Sequence, residues 1–156
     1  MKSVLFLDID GVMVPFGMVG RDEGIYDHDP FDKGCVKILN TIIDQTDCEI
    51  IISSTWKHFF DLKQIQEIFQ WNGVIKAPID VTPNSEETID EEPEDIKCHE
   101  ISKWLSKNKT KISHGWCAID DWDLSFGLQN FVLCHNSRKG LKTKGISEKI
   151  IFYLEN

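Results

Sequence analysis

Two kinds of apolar pattern alternate along the chain. Ser3 to Leu7 and Glu49 to Ile52 are continuous apolar or β-branched runs without polar alternation, as parallel strands buried on both faces require. Between them, Val36, Leu39, Ile42 and Ile43 recur at helical spacing behind Asp32, a residue suited to an N-cap. The theme repeats. His58 to Trp71, with Phe59, Leu62, Ile65, Ile68 and Phe69, predicts a second helix, followed by Gly73 and a short strand over Val74 to Lys76. Ile96 to Lys107, with Ile101, Trp104 and Leu105, predicts a third helix, and Trp116 to Ile119 the strand after it. A further strand over Asn130 to Cys134 and a last helix over Ser147 to Leu154 complete the pattern. Strands and helices alternating in this way predict an α/β fold: a three-layer, Rossmann-like open parallel sheet with helices on both faces.

Such sheets bind ligands outside the carboxyl ends of their strands. Polar clusters stand at three of those ends. Asp8 and Asp10 follow the first strand, Ser53, Ser54 and Thr55 the second, and Asp120 with Asp121 the strand that begins at Trp116. If those strands are neighbours, the clusters meet at one edge of the sheet. Four carboxylates brought together repel one another unless a cation neutralises them or some take up protons. Oxygen ligands with room for phosphate oxygens and waters suit Mg²⁺. Hydroxyls at the second strand end can donate to a phosphoryl group, and a lysine can offset its developing charge. An Asp carboxylate can accept phosphate covalently while a second acid moves the proton. The combination predicts phosphoryl transfer.

Composition narrows the setting. The 156 residues fit one domain, and 41% hydrophobic with 28% charged residues is ordinary globular composition. No apolar stretch approaches the roughly 20 residues of a membrane span, and the first residues lack the features of a secretory signal. A cytoplasmic protein is expected. Cys35, Cys48, Cys98, Cys117 and Cys134 are scattered and form no C-x-x-C pair, so they are expected as buried small hydrophobes. His28, His58, His99, His114 and His135 show no metal-ligand spacing.

The net charge of −9 is unevenly spread. The stretch from Ser85 to Ile96 holds seven acids and no base, and is expected as a solvated acidic loop. From Lys97 onward, ten Lys and Arg outnumber six Asp and Glu, with Arg138, Lys139, Lys142 and Lys144 close together. That cluster suits contact with a polynucleotide backbone.

The residues also carry a family resemblance. The run LFLDIDGV resembles the first motif of the haloacid dehalogenase (HAD) superfamily of phosphohydrolases, IIISS its second, and AIDD its acidic fourth. Lys97 stands in the order and place of the lone basic third motif. More narrowly, SSTWK, the helix segment HEISKWL and a late G-L resemble the HAD domain of Swiss Army Knife RNA repair proteins. The resemblance implies a HAD-like Mg²⁺-dependent phosphatase. Asp8 would be the nucleophile and Asp10 the proton donor and later the base, its backbone carbonyl helping to hold the metal. Ser53, or Ser54 if the strand runs one residue longer, would bind the phosphoryl oxygens. Lys97 would stabilise the transferring charge, and Asp120 with Asp121 would complete the metal site. Lys57 is a second basic candidate for a phosphate.

The stretches from Met13 to Asp32 and from Lys57 to Lys97 are too short for a folded cap, so a capless or minimally capped, open site is expected. Such a site admits the end of a macromolecule, an RNA or DNA end among them, with Phe16, Met18 and Tyr26 able to help exclude water. A phosphatase of a small phosphometabolite, a nucleotide or a phosphoprotein is the alternative, and the overall acidity favours it. A receiver-like phosphoacceptor module fits less well, because its adjacent acidic pair would follow the first strand. Trp56 is expected to pack rather than to stack on a base.

Overall fold

The computed structural model describes residues 1–16, 30–85 and 91–156. Within them the elements run β1 (Val4–Leu7), α1 (Lys33–Thr46), β2 (Glu49–Ile52), α2 (Leu62–Trp71), β3 (Asp80–Val81), α3 (Pro93–Asn108), β4 (Trp116–Asp120), β5 (Phe131–Leu133) and α4 (Ile146–Glu155). The five strands form one sheet in the order β3-β2-β1-β4-β5. Every pairing is parallel. The chain reverses direction of travel across the sheet after β3, so β1 and β4 flank the switch point.

Strand alternation divides the core in two. Leu5, Leu7, Ile50, Ile52, Cys117, Ile119 and Val132 face one side, where they pack against α1, α2 and α4. Val4, Phe6, Ile51 and Ala118 face the other, against Cys98, Ile101, Trp104 and Leu105 of α3 and against Leu124 and Leu128. Both faces are covered, which is why the strand sequences show no polar alternation. Trp104 meets Phe6 edge to face at 5.3 Å, and its indole N–H donates to Asp80 Oδ2 at 2.8 Å. A large apolar body is thus buried with its polar atom satisfied.

Helix ends follow their local chemistry. Asp32 caps α1 as predicted, its carboxylate accepting from Cys35 N at 2.9 Å. The second helix starts later than its apolar spacing predicts. Thr55–His58 is a short 3₁₀ helix, and α2 begins only after Asp61, which forms a reciprocal capping box with Gln64. Phe59, expected on the buried face, is 77% exposed. The third helix starts earlier, with Pro93 in its first turn and Glu94 and Asp95 beside the positive end of the helix dipole. Part of the expected acidic loop is therefore helix. Glu86, Glu87 and Asp90 lie outside the described residues, as do His28, Met18 and Tyr26.

The strand expected at Val74 to Lys76 is replaced by β3 six residues further on. Lys76 is drawn instead to Asp47 and Glu49, at 2.9 and 3.0 Å. Pairing with β2 is made by Ile79 N to Ile50 O and Thr82 N to Ile52 O. All five cysteines are buried and free, as expected. Burial raises the thiols of Cys35, Cys98 and Cys134 to about 11, which keeps them protonated and unreactive. No described helix is long and apolar enough to cross a membrane. Between Lys57 and Lys97 the described residues supply the 3₁₀ turn, α2, β3 and the start of α3, with no further folded unit.

Candidate active site

Register sets the site. Leu7 pairs with Ile52 on one side and with Ile119 on the other. One residue further, Ser53, Asp8 and Asp120 stand in a row across three strands, with Ser53 N bonded to Leu7 O and Asp8 N to Ile119 O. The alternation that turns Phe6, Ile51 and Ala118 toward α3 carries on through this row. Lys97 faces it from the first turns of α3. Its ammonium lies 2.6 Å from Asp120 Oδ2 and 3.3 Å from Asp8 Oδ1. The other Asp120 oxygen accepts from Trp122 N at 3.0 Å. Asp8 and Asp120 are 4% and 1% exposed.

Asp121 completes the cluster. Asp8, Asp120 and Asp121 each offer an oxygen, and the three atoms lie within 4.8 Å of one another. This is the one such group of acids, histidines or cysteines among the described residues. Gly11 adopts a φ of +82°, and a Cβ there would overlap the Asp121 carboxylate. Both the backbone conformation and the close approach require glycine. The same turn, in which Val12, Met13 and Val14 all donate to Ile9 O, projects Asp10 from the strand end. Asp10 accepts from the indole N–H of Trp56 at 3.2 Å. Trp56 is buried against Phe31 and Phe60, as expected of a packing residue, yet it also orients an acid.

The electrostatics reflect an excess of negative charge. Burial and then the Asp120 charge push the Asp8 carboxyl well above the usual carboxylate range, and Lys97 offsets them only in part. Burial and Asp120 likewise raise Asp121. Burial alone would lower the Lys97 ammonium, but Asp8 and Asp120 together hold it above the usual lysine value. An all-oxygen donor set with surplus negative charge fits Mg²⁺.

Ser53 and Ser54 are both buried. Ser53 continues the row with Asp8, whereas Ser54 Oγ accepts from Trp56 N and caps the 3₁₀ turn. Lys57 turns elsewhere. Its ammonium is buried at 2.8 Å from Glu100 and within reach of Thr82 O, Thr82 Oγ1 and Pro83 O. It ties the end of β3 to α3 and does not face the clustered acids. Sequence spacing alone could not reveal it, because its partner lies on another helix. The role of Trp56 toward Asp10 was equally hidden, although an indole just after the Ser pair marked the position.

The basic segment stands beside the turn that follows β1. Phe16 N donates to Ser137 O and Leu141 N to Val12 O, each at 2.9 Å. Lys142 pairs with Asp32 at 3.2 Å, while Arg138, Lys139 and Lys144 are exposed. The larger concavities, about 670 Å³ between β5 and α4, about 450 Å³ along α1 and about 410 Å³ between β3 and α3, include none of the clustered acids. A smaller one, about 140 Å³, opens directly beside Lys97 and Ser54.

The model of the family described as the HAD domain in Swiss Army Knife RNA repair proteins matches residues 4–146. No curated protein and no solved structure gives a match. The matched span contains every strand and all the clustered acids; the family points to phosphatase-type hydrolysis, and HAD proteins generally use Mg²⁺. The chain therefore belongs to the HAD domain family of Swiss Army Knife RNA repair proteins.

Proposed function

We propose that the protein is a Mg²⁺-dependent phosphatase that removes a terminal phosphate from a polynucleotide through an aspartyl-phosphate on Asp8. The observation that carries this reading is the convergence of Asp8, Lys97, Asp120 and Asp121 at the switch point, with Asp10 held one turn away by Trp56.

In the first step an Asp8 carboxylate oxygen attacks phosphorus. The bond from phosphorus to the leaving oxygen breaks, and Asp10 gives that oxygen its proton. In the second step Asp10 takes a proton from water, whose oxygen attacks the aspartyl-phosphate. Inorganic phosphate leaves and the Asp8 carboxylate returns. Ser53, with Ser54 as the alternative, donates to the phosphoryl oxygens, and Lys97 offsets the charge that spreads over them. Asp8, Asp120, Asp121 and the Asp10 carbonyl would hold Mg²⁺. Bound there, it supplies positive charge that keeps the carboxylates ionised and neutralises the phosphoryl group.

The polynucleotide substrate is supported by the family and by the exposed basic residues next to the turn that bears Asp10. The test is phosphate release from 5′- and 3′-phosphorylated RNA and DNA oligonucleotides, mononucleotides, sugar phosphates and phosphopeptides. Each is measured with Mg²⁺ and with chelator, for the wild type and Asp8→Asn. Oligonucleotides should be preferred, and Asp8→Asn should lose on the order of 10⁴-fold or more of the rate. Release that survives Asp8→Asn would sink the covalent mechanism, and preference for a small phosphate would sink the polynucleotide reading.

A further inference from the structure

Trp122 is a large aromatic side chain left 37% exposed at the rim of the site. It follows the acidic pair directly, and its ring lies over the Lys97 ammonium, with 4.5 Å from Nζ to the ring centroid. A cation held against a ring fixes the ring's orientation. The same ring lines the cavity of about 140 Å³ that Ser54, Thr55, Lys97, Pro93 and Ile96 also enclose. The cavity is thus lined both by Ser54 and Lys97, the residues assigned to the phosphoryl group, and by the apolar side chains of Pro93, Ile96 and Trp122. Its buried acid, Glu100, is already neutralised by Lys57 at 2.8 Å. No other carboxylate lines it, and its size suits one planar ring rather than a folded chain.

We infer that this cavity is the subsite for the nucleobase of the nucleotide that carries the phosphate, stacked on Trp122. The inference rests on the phosphatase reading above and adds to it a specificity-determining residue. Stacking on an aromatic side chain tolerates any base, since every base presents a π-face. The protein would therefore sense that a base is present without reading which one it is. Anchoring the base beside Lys97 holds the phosphate of a flexible strand end at Asp8, a task otherwise performed by an enclosing cap.

The experiment compares short single-stranded RNAs, phosphorylated at either end, whose phosphate-bearing nucleotide is either intact or abasic. Wild type, Trp122→Ala and Trp122→Phe are each given both substrates, and KM is read as the ratio of abasic to intact. Any effect of Trp122 on Lys97 is common to both substrates and cancels in that ratio. The wild-type ratio should be about tenfold, near one in Trp122→Ala and largely kept in Trp122→Phe. Changing the base identity at that nucleotide should move KM far less. The same ratio is read in Kd by fluorescence anisotropy with Asp8→Asn alone and with Asp8→Asn combined with Trp122→Ala or Trp122→Phe. A ratio that persists in Kd while the wild type releases no phosphate from any substrate would support the subsite and strike only the phosphatase reading. A wild-type ratio near one, or a ratio unchanged in Trp122→Ala, would overturn the subsite while leaving phosphate release intact. Trp122-dependent preference for a phosphotyrosine peptide over the intact RNA would also overturn it.

Discussion

Lys57 and Lys97 are both buried lysines set against acids, and their surroundings differ in charge balance. Lys57 has one carboxylate, Glu100, and three neutral oxygens from Thr82 and Pro83. Its neighbourhood is neutral and satisfied. Lys97 faces Asp8 and Asp120 with Asp121 close behind, so one positive charge meets three negative ones. A satisfied pair holds a structure together; an unsatisfied one holds a place for something else. In the proposed mechanism the difference separates a lysine that ties elements together from one that acts on the phosphoryl group, although both side chains are largely inaccessible.

The comparison can be broken by mutation. Lys97→Met should reduce phosphate release on the order of 10²- to 10³-fold at saturating substrate, as loss of a transition-state charge partner does. Lys57→Met should act mainly on stability. It strands Glu100 without its cation, which costs about 3 to 5 kcal/mol by denaturant unfolding. Adding Glu100→Leu should recover most of that loss. If Lys57→Met removed activity as Lys97→Met does while the fold stayed intact, the contrast would be wrong.

Two smaller effects sharpen it. Trp56→Phe keeps the packing against Phe31 and Phe60 but removes the N–H donated to Asp10. A fall in kcat of about tenfold is expected, the worth of one hydrogen bond to a charged group. The fall should be steepest for substrates with poor leaving oxygens, because those need the proton most. The smallest effect concerns pH. Asp8 and Asp121 titrate above their ordinary value in the fold, so their contribution to stability is full below about pH 3.8. It is lost as pH rises through the folded values. Lys97, also raised, contributes below its ordinary value and is constant through neutrality. The chelated protein should therefore lose stability from acid toward neutral pH at this site, and the rise in Tm on adding Mg²⁺ should grow over the same range. Asp121→Asn should stabilise the chelated protein and blunt that rise.

The parts of the molecule that could be read from sequence are those whose signal is local. Continuous apolar runs mark β1, β2 and β4, and Asp32 marks the start of α1, because burial on both faces and an N-cap each act within a few residues. The clustered acids were legible for the same reason, each standing at the end of such a run. Phe59 misled because helical spacing outweighed the capping signal of Asp61 with Gln64. Val74 and Ile75 misled because two β-branched residues resemble a strand, while the edge of β2 was free to pair further along. The partner of Lys57 and the donor to Asp10 were not legible, since both depend on which elements the fold brings side by side.

The row formed by Ser53, Asp8 and Asp120 has a consequence for how errors in folding would show themselves. Parallel strands joined by helices must find their register through distant contacts, and a slip of one residue would turn Leu5 and Leu7 onto the wrong face. A slip of two would keep every apolar residue on its proper side. It would also bring Asp10 into the row in place of Asp8, so an acid would still stand beside Asp120. What such a chain could not reproduce is the seat of Gly11 against Asp121, where any other residue overlaps the carboxylate. The glycine acts as a key cut for one alignment of the strands, and only a correctly threaded sheet would turn over substrate.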